Sequence, residues 1–143
     1  MNIGELQKKI DAIGYCDARV NDFQINYFGD EIVVYFDNYD ERGVEDGTSW
    51  KVSFLICDKV SYETDASWAN WRKNFDGSGN KVRDMTIRQL GYDGQDITLS
   101  EAGDFIAVEM DLTMMTVKLQ CKEIEIDQVN NDEIDFFWEG NKL

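Results

Sequence analysis

Phe23-Gln24-Ile25-Asn26-Tyr27-Phe28-Gly29-Asp30-Glu31-Ile32-Val33-Val34-Tyr35-Phe36, residues 23–36, is the stretch on which the fold turns. Phe23, Ile25 and Tyr27 alternate with polar residues, and Gly29-Asp30 separates them from an unbroken apolar run. A Gly-X pair between two strand-like runs predicts a β-hairpin with a type II′ turn. Residues 32–36 leave no face for water, so the second strand is expected in the middle of a sheet, covered on both sides.

Downstream, residues 37–49 read DNYDERGVEDGTS, acids and turn formers with little to bury, and are expected to form a solvated loop. Trp50, Val52, Phe54 and Ile56 then alternate with Lys51, Ser53 and Leu55, and Val60 and Tyr62 continue the pattern, as one long bent strand or two short ones. Trp68, Trp71 and Phe75 lie at helical spacing, which predicts a short helix begun near residues 64–67 and ended by residues 76–80. Residues 82–90 fit a helix or a strand. After the turn Gly91-Tyr92-Asp93-Gly94, strands are expected over residues 97–99, 105–113 and 114–127. In the last, Met115, Val117, Leu119 and Cys121 share one parity while Ile124 and Ile126 have the other. A bulge near Lys122-Glu123 would restore the face, with Thr116, Lys118, Gln120, Glu123 and Glu125 toward water. Phe136, Phe137 and Trp138 are expected as a closing strand or cap.

Upstream, Ile3, Leu6, Ile10 and Ile13 recur at steps of three and four, with Gly14 as a stop. That is an amphipathic helix of about three turns, suited to covering a sheet. The whole reads as one α+β domain, residues 1–143: mostly antiparallel β-sheet, an N-terminal amphipathic helix and a short inserted helix.

Composition bounds the function. The 143 residues suffice for one core, and 43% hydrophobic and 13% aromatic residues favour a globular chain. The net charge is −15, which disfavours nucleic acid and anionic membrane as partners. Residues 15–49 set nine acids against two bases and residues 91–143 thirteen against three, so the acidity lies in two blocks. Without an 18-residue apolar run, and with charges in the opening MNIGELQKK, a cytoplasmic location is expected. Cys16, Cys57 and Cys121 are odd in number and beside apolar neighbours, which predicts buried free thiols.

The chain has no histidine. Ser-His-Asp and Cys-His nucleophile systems and histidine-ligated zinc are excluded, and cysteines outside C-x-x-C spacing argue against structural zinc. Paired carboxylates could in principle hydrolyse a glycosidic bond, but 29 acids make such pairs undiagnostic. Residues 76–80, DGSGN, begin like a calcium loop, yet Lys81 replaces the required glycine and Ile87 the closing glutamate. No phosphate-cradling glycine motif is present. No catalytic residue, cofactor or metal ligand is therefore assigned, and no enzyme activity is expected.

Binding is what remains. Trp68 and Trp71 suit either core anchors or a sugar-stacking platform, which leaves a small-molecule or carbohydrate-binding domain as the alternative. Tyr39 and Tyr92 lie in acid-rich turns and are expected as exposed interface anchors with an acidic rim. The candidate partner-binding set is Asp37, Tyr39, Asp40, Glu41, Glu45, Asp46, Tyr92, Asp93 and Asp96.

The segments YFGDEIVVYFDNY, WKVSFLICDKVSY, QLGYDGQDI and VKLQCKEIEIDQV together resemble bacterial immunity proteins, encoded beside polymorphic or contact-dependent toxins. The likeness spans roughly residues 23–127 and rests on strand pattern and acidic turns, with no invariant motif. It implies a cytoplasmic inhibitor that binds a cognate toxin domain, often a nuclease. The charge agrees on one point: a nuclease needs a basic surface to hold phosphates, and an acidic protein is its complement.

Overall fold

The computed structural model describes residues 2–64, 86 and 90–137. The helix expected around Trp68 and Trp71, the calcium-like sequence at residues 76–80, most of residues 82–90 and Trp138 lie outside the described residues.

Helix α1 (Ile3–Asp11) opens the chain, capped by the Asn2 side chain, whose Oδ1 accepts from the Glu5 N–H at 3.1 Å. Eight strands follow: β1 (Val20–Asn26), β2 (Glu31–Tyr39), β3 (Glu45–Leu55), β4 (Asp58–Thr64), β5 (Gly94–Ala102), β6 (Phe105–Leu112), β7 (Met115–Cys121) and β8 (Glu123–Asn130). They form two antiparallel four-stranded sheets, β1-β2-β3-β8 and β4-β7-β6-β5. The α+β, mostly antiparallel architecture with an N-terminal helix is thus present as the sequence predicts.

One bent ladder joins the sheets. Leu55 pairs with Glu123 at the end of β3–β8 and Asp58 with Gln120 at the start of β4–β7, so the same register runs through the corner. The Lys122 N–H donates to the Leu55 carbonyl at 3.1 Å inside the bend. Residues 45–64 and 115–130 are therefore two long strands paired along their length and folded together, a way for strands to change sheets. This explains the parity change after Cys121. Lys122 and Glu123 both face water because the strand turns a corner between sheets, where the sequence suggests a bulge within one.

The inner faces share a core: Ile32, Val34 and Phe36 of β2, Val52 and Phe54 of β3, Ile97 and Leu99 of β5, Val108 and Met110 of β6, Val117 and Leu119 of β7, and Ile10 of α1. Each such large side chain contributes about 1.5–3 kcal/mol through burial. The central position of β2 also holds. Its opposite face carries Val33 and Tyr35, covered by Val129, Ile134 and Phe136, the last edge-on to Tyr35 at 5.4 Å. Phe136 is thus a cap, as expected, while Phe137 stands 60% exposed.

The free edges of β1 and β5 meet at one end of the molecule. The Val20 N–H donates to the Tyr92 carbonyl at 2.7 Å and the Gly94 N–H to the Ala18 carbonyl at 2.9 Å. Gly94 is required there, since a Cβ would lie 2.5 Å from the Tyr15 carbonyl oxygen and 2.7 Å from the Phe36 ring. Further along β5 no strand follows among the described residues, and side chains satisfy its edge there. The Leu99 N–H donates to Gln7 Oε1 (2.8 Å), Gln7 Nε2 donates to the Ile97 carbonyl (2.7 Å), and the Ile97 N–H donates to the Tyr15 hydroxyl (3.1 Å). The Gln7 amide replaces a strand's peptide group and closes an edge that would otherwise template association.

Three expectations are corrected. The hairpin at residues 23–36 is present, but its connection is the four-residue loop 27–30, since Asn26 pairs with Glu31. Tyr27 and Phe28 take positive φ (53° and 58°), so the turn is not type II′. Residues 37–49 are mostly strand, with only residues 40–44 as a loop, and Asp37 and Ser49 are buried. Of the three thiols only Cys121 is buried; Cys57 is half-buried and Cys16 exposed. Burial pushes the Cys57 thiol up to about 11 and Cys121 up to about 12, which keeps both protonated and unreactive.

Candidate functional site

At the end of the molecule where β1 and β5 meet, a cation is enclosed by acids. Arg19, just before β1, spreads its guanidinium over three elements. Nη2 donates to Asp37 Oδ2 of β2 at 3.1 Å, Nη1 to Glu45 Oε1 of β3 at 2.9 Å, and Nε to Asn21 Oδ1 at 3.1 Å. Asn21 Nδ2 bonds the other Asp37 oxygen at 3.1 Å and Ser49 Oγ at 2.8 Å, and Asn131 Nδ2 reaches Asp37 at 3.3 Å. The Asp37 side chain is only 1% exposed. Burial raises its carboxyl above the ordinary carboxylate range although Asn21, Arg19 and Asn131 pull the other way. The carboxylate is held by hydrogen bonds and charge together, the condition under which a buried ion is tolerated.

Around this network lies an open groove of about 730 Å³, lined by Arg19, Tyr39, Gly43, Val44, Glu45, Gly91 and Asp93. The Arg19 N–H donates to the Tyr39 hydroxyl at 3.2 Å, which fixes that ring against β1. Burial, aided by the neighbouring Asp17 charge, raises the Asp93 carboxyl, while Arg19 lowers it.

The loop at residues 40–44 stands above the groove. Asp40 Oδ1 accepts from the Arg42 N–H (2.8 Å) and the Val44 N–H (3.1 Å), and its Oδ2 meets Arg42 Nη2 at 2.8 Å. The Arg42 hydrogen bond, chiefly, holds the Asp40 carboxyl below its ordinary value. Asp46 accepts from the Thr48 N–H at 2.9 Å, from Thr48 Oγ1 at 2.6 Å and from Asn38 Nδ2 at 3.1 Å. Glu41 and Asp46 are exposed.

The nine sequence-selected residues thus divide. Tyr39, Glu45 and Asp93 line the groove, and Asp40, Glu41 and Asp46 lie on or beside its flanking loop. Asp37 lies beneath, as an internal counter-charge. Asp96, exposed on β5 and accepting from Thr98 Oγ1 at 3.2 Å, is outside the groove lining. Tyr39 and Tyr92, expected as exposed anchors, are both half-buried against the core. Tyr39 ends β2 and Tyr92 lies just before β5, and the seam between β1 and β5 draws both rings inward.

Arg19, Asn21 and Asn131 escaped selection on sequence. The signal for Arg19 is present in retrospect: it is one of only two bases among nine acids in residues 15–49, flanked by the apolar Ala18 and Val20. Among the described residues, no group of three or more cysteines, aspartates or glutamates is placed to hold a metal ion.

Comparison with known proteins bears on what such a surface meets. The family Immunity protein PIM7 matches over residues 2–128, most of the chain. No curated protein matches it. The crystal structure of an uncharacterized protein from Neisseria gonorrhoeae is similar at 11% identity, with 79% of this chain and 92% of that one covered and a TM-score of 0.47.

Proposed function

We propose, because this chain belongs to the Immunity protein PIM7 family, that it binds a cognate toxin domain in the cytoplasm and neutralises it by occupying its surface, without turnover. The toxin we infer is basic, such as a nuclease. The observation that carries this is the charge at the grooved end, set within a chain of net −15. Asp40, Glu41 and Asp46 lie on or beside the loop that flanks the groove, Asp93 lines it and Asp96 is exposed on β5. Their field favours encounter with a positively charged partner and repels nucleic acid.

The interior supports binding over catalysis. The carboxylates Asp37 and Glu45 are engaged by Arg19, at 3.1 and 2.9 Å, which leaves Asp93, among the described residues, as the one groove-lining acid outside these ion pairs. A hydrolase built on two carboxylates needs one of them available to donate a proton and the other to act on water or the substrate. Tyr39, held in place by packing and by the Arg19 N–H, offers a rigid groove edge.

The test is association kinetics with the toxin domain encoded beside this chain's gene. The triple substitution Asp40→Asn, Glu41→Gln, Asp46→Asn should slow association roughly tenfold at low salt, within the range electrostatic steering supplies. The gap should close at high salt, and dissociation should change little. Equal association at both salts would remove the steering role from this end, and absence of any complex with the wild-type chain would remove the function.

A further inference from the structure

The opposite end of the β1–β2 hairpin carries what the grooved end lacks, exposed aromatic surface. Tyr27 is 79% and Phe28 109% exposed, so the Phe28 ring contributes nothing to the core. Both take left-handed backbone conformations that side-chain-bearing residues rarely adopt. Ile56, 48% exposed, and Lys59, at the adjoining corner of β3 and β4, do the same. Four of the five positive-φ residues other than glycine, among those described, therefore gather at this corner. Strain of this kind persists only where surrounding structure enforces it, and it concentrates at functional sites.

The tip is held. The Asp30 N–H donates to the Tyr27 carbonyl at 3.2 Å, and the Cys57 N–H donates to the Asp30 carbonyl at 2.8 Å, tying the loop to the corner. Gly29 lies against β4, where an added Cβ would stand 3.9 Å from Val60 Cγ2. Between tip and corner is a notch of about 370 Å³, lined by both aromatics, Asp30, Asp58, Lys59 and Val60 among others. The carboxylates Asp30 and Asp58 outnumber the Lys59 ammonium, and Glu31 adds a further negative charge beside them. Aromatic faces beside carboxylates suit a guanidinium or ammonium group.

We propose that Tyr27 and Phe28 are the anchor that enters a pocket on the cognate toxin, and that the notch behind them receives an arginine or lysine side chain of that toxin. The assignment rests on the immunity reading above. It gives the complex a preformed, desolvated contact of the kind that governs dissociation, distinct from the acidic end that governs encounter.

The test uses the toxin domain encoded beside this chain's gene and the substitutions Phe28→Gly and Asp58→Asn in the full chain. Glycine accepts the left-handed backbone, so Phe28→Gly should leave the unfolding midpoint unchanged or raise it, while dissociation accelerates at least tenfold. Asp58→Asn should accelerate dissociation by a smaller factor. If the wild-type chain binds and Phe28→Gly dissociates at the same rate, the anchor is refuted and the immunity reading stands. If the wild-type chain does not bind, both fail. A wild-type dimer in sedimentation that Phe28→Gly converts to monomer would assign the tip to self-association and overturn the proposal.

Discussion

The two ends of the β1–β2 hairpin handle exposure in opposite ways. At the end where β1 leaves Arg19 and β2 reaches Asp37, charged groups are drawn inward and matched: one guanidinium, two carboxylates and two asparagines satisfy one another. At the Tyr27–Phe28 end, apolar groups are pushed outward and left in solvent on a strained backbone. Ordinary folding reverses both placements. The first end is expensive to disturb because its charges are interdependent. The second is cheap to disturb, because Phe28 touches little, and that marks it as surface kept for something other than stability.

The largest expected effect breaks the first end. Arg19→Ala leaves Asp37 buried without its cation, which should cost about 3–5 kcal/mol in chemical denaturation, as for other broken buried pairs. Its pH dependence is a second readout. The Asp37 carboxyl is raised in the fold, so the native state holds its proton more tightly than the unfolded chain does. That contribution therefore becomes less destabilising as pH falls from neutral through the raised value. Arg19→Ala should recover stability on acidification more than wild type does, and adding Asp37→Asn should abolish the difference.

A second substitution tests the seam that supports this end. Gly94→Ala would place a methyl group 2.5 Å from the Tyr15 carbonyl and 2.7 Å from the Phe36 ring. Backbone cannot yield cheaply there, so a loss of about 1–3 kcal/mol is expected, as for other overpacked sites. A smaller effect belongs to the covered edge of β5. Gln7→Ala removes the two hydrogen bonds to β5, besides an exposed one to Asp11, and should cost about 1–2 kcal/mol, at roughly 1 kcal/mol for each bond to the strand. It should also speed amide exchange at Leu99, whose N–H donates to that side chain. Against this series, Phe28→Gly should be the smallest perturbation of folding and the largest of dissociation. A Phe28→Gly chain as unstable as Arg19→Ala would dissolve the contrast between the ends.

How much of this was legible in the sequence follows the same division. Residues 32–36 predict a doubly covered strand because no other placement hides five apolar residues, and β2 is that strand. The parity change between Cys121 and Ile124 marks an irregularity, but parity alone does not distinguish a bulge inside a sheet from a corner between sheets. The partner strand decides it, and that pairing is long-range. Asp37 reads as solvent-facing because its neighbours are acidic, whereas its burial depends on Arg19, 18 positions away. Tyr39 and Tyr92 look exposed for the same local reason, and the seam between β1 and β5 half-buries them. Tyr27 was hidden by an ordinary alternation and Phe28 by its place beside the turn, since nothing in a residue name reveals a positive φ. The resemblance to immunity proteins, by contrast, was legible from strand pattern and acidic turns, and the family match over residues 2–128 bears it out.

The most direct test of the central claim is a titration of the neighbouring toxin domain's activity with the purified chain. The account predicts a linear fall to complete inhibition at one molar equivalent, slowed in onset by salt. Full toxin activity at severalfold molar excess of the folded chain would contradict it.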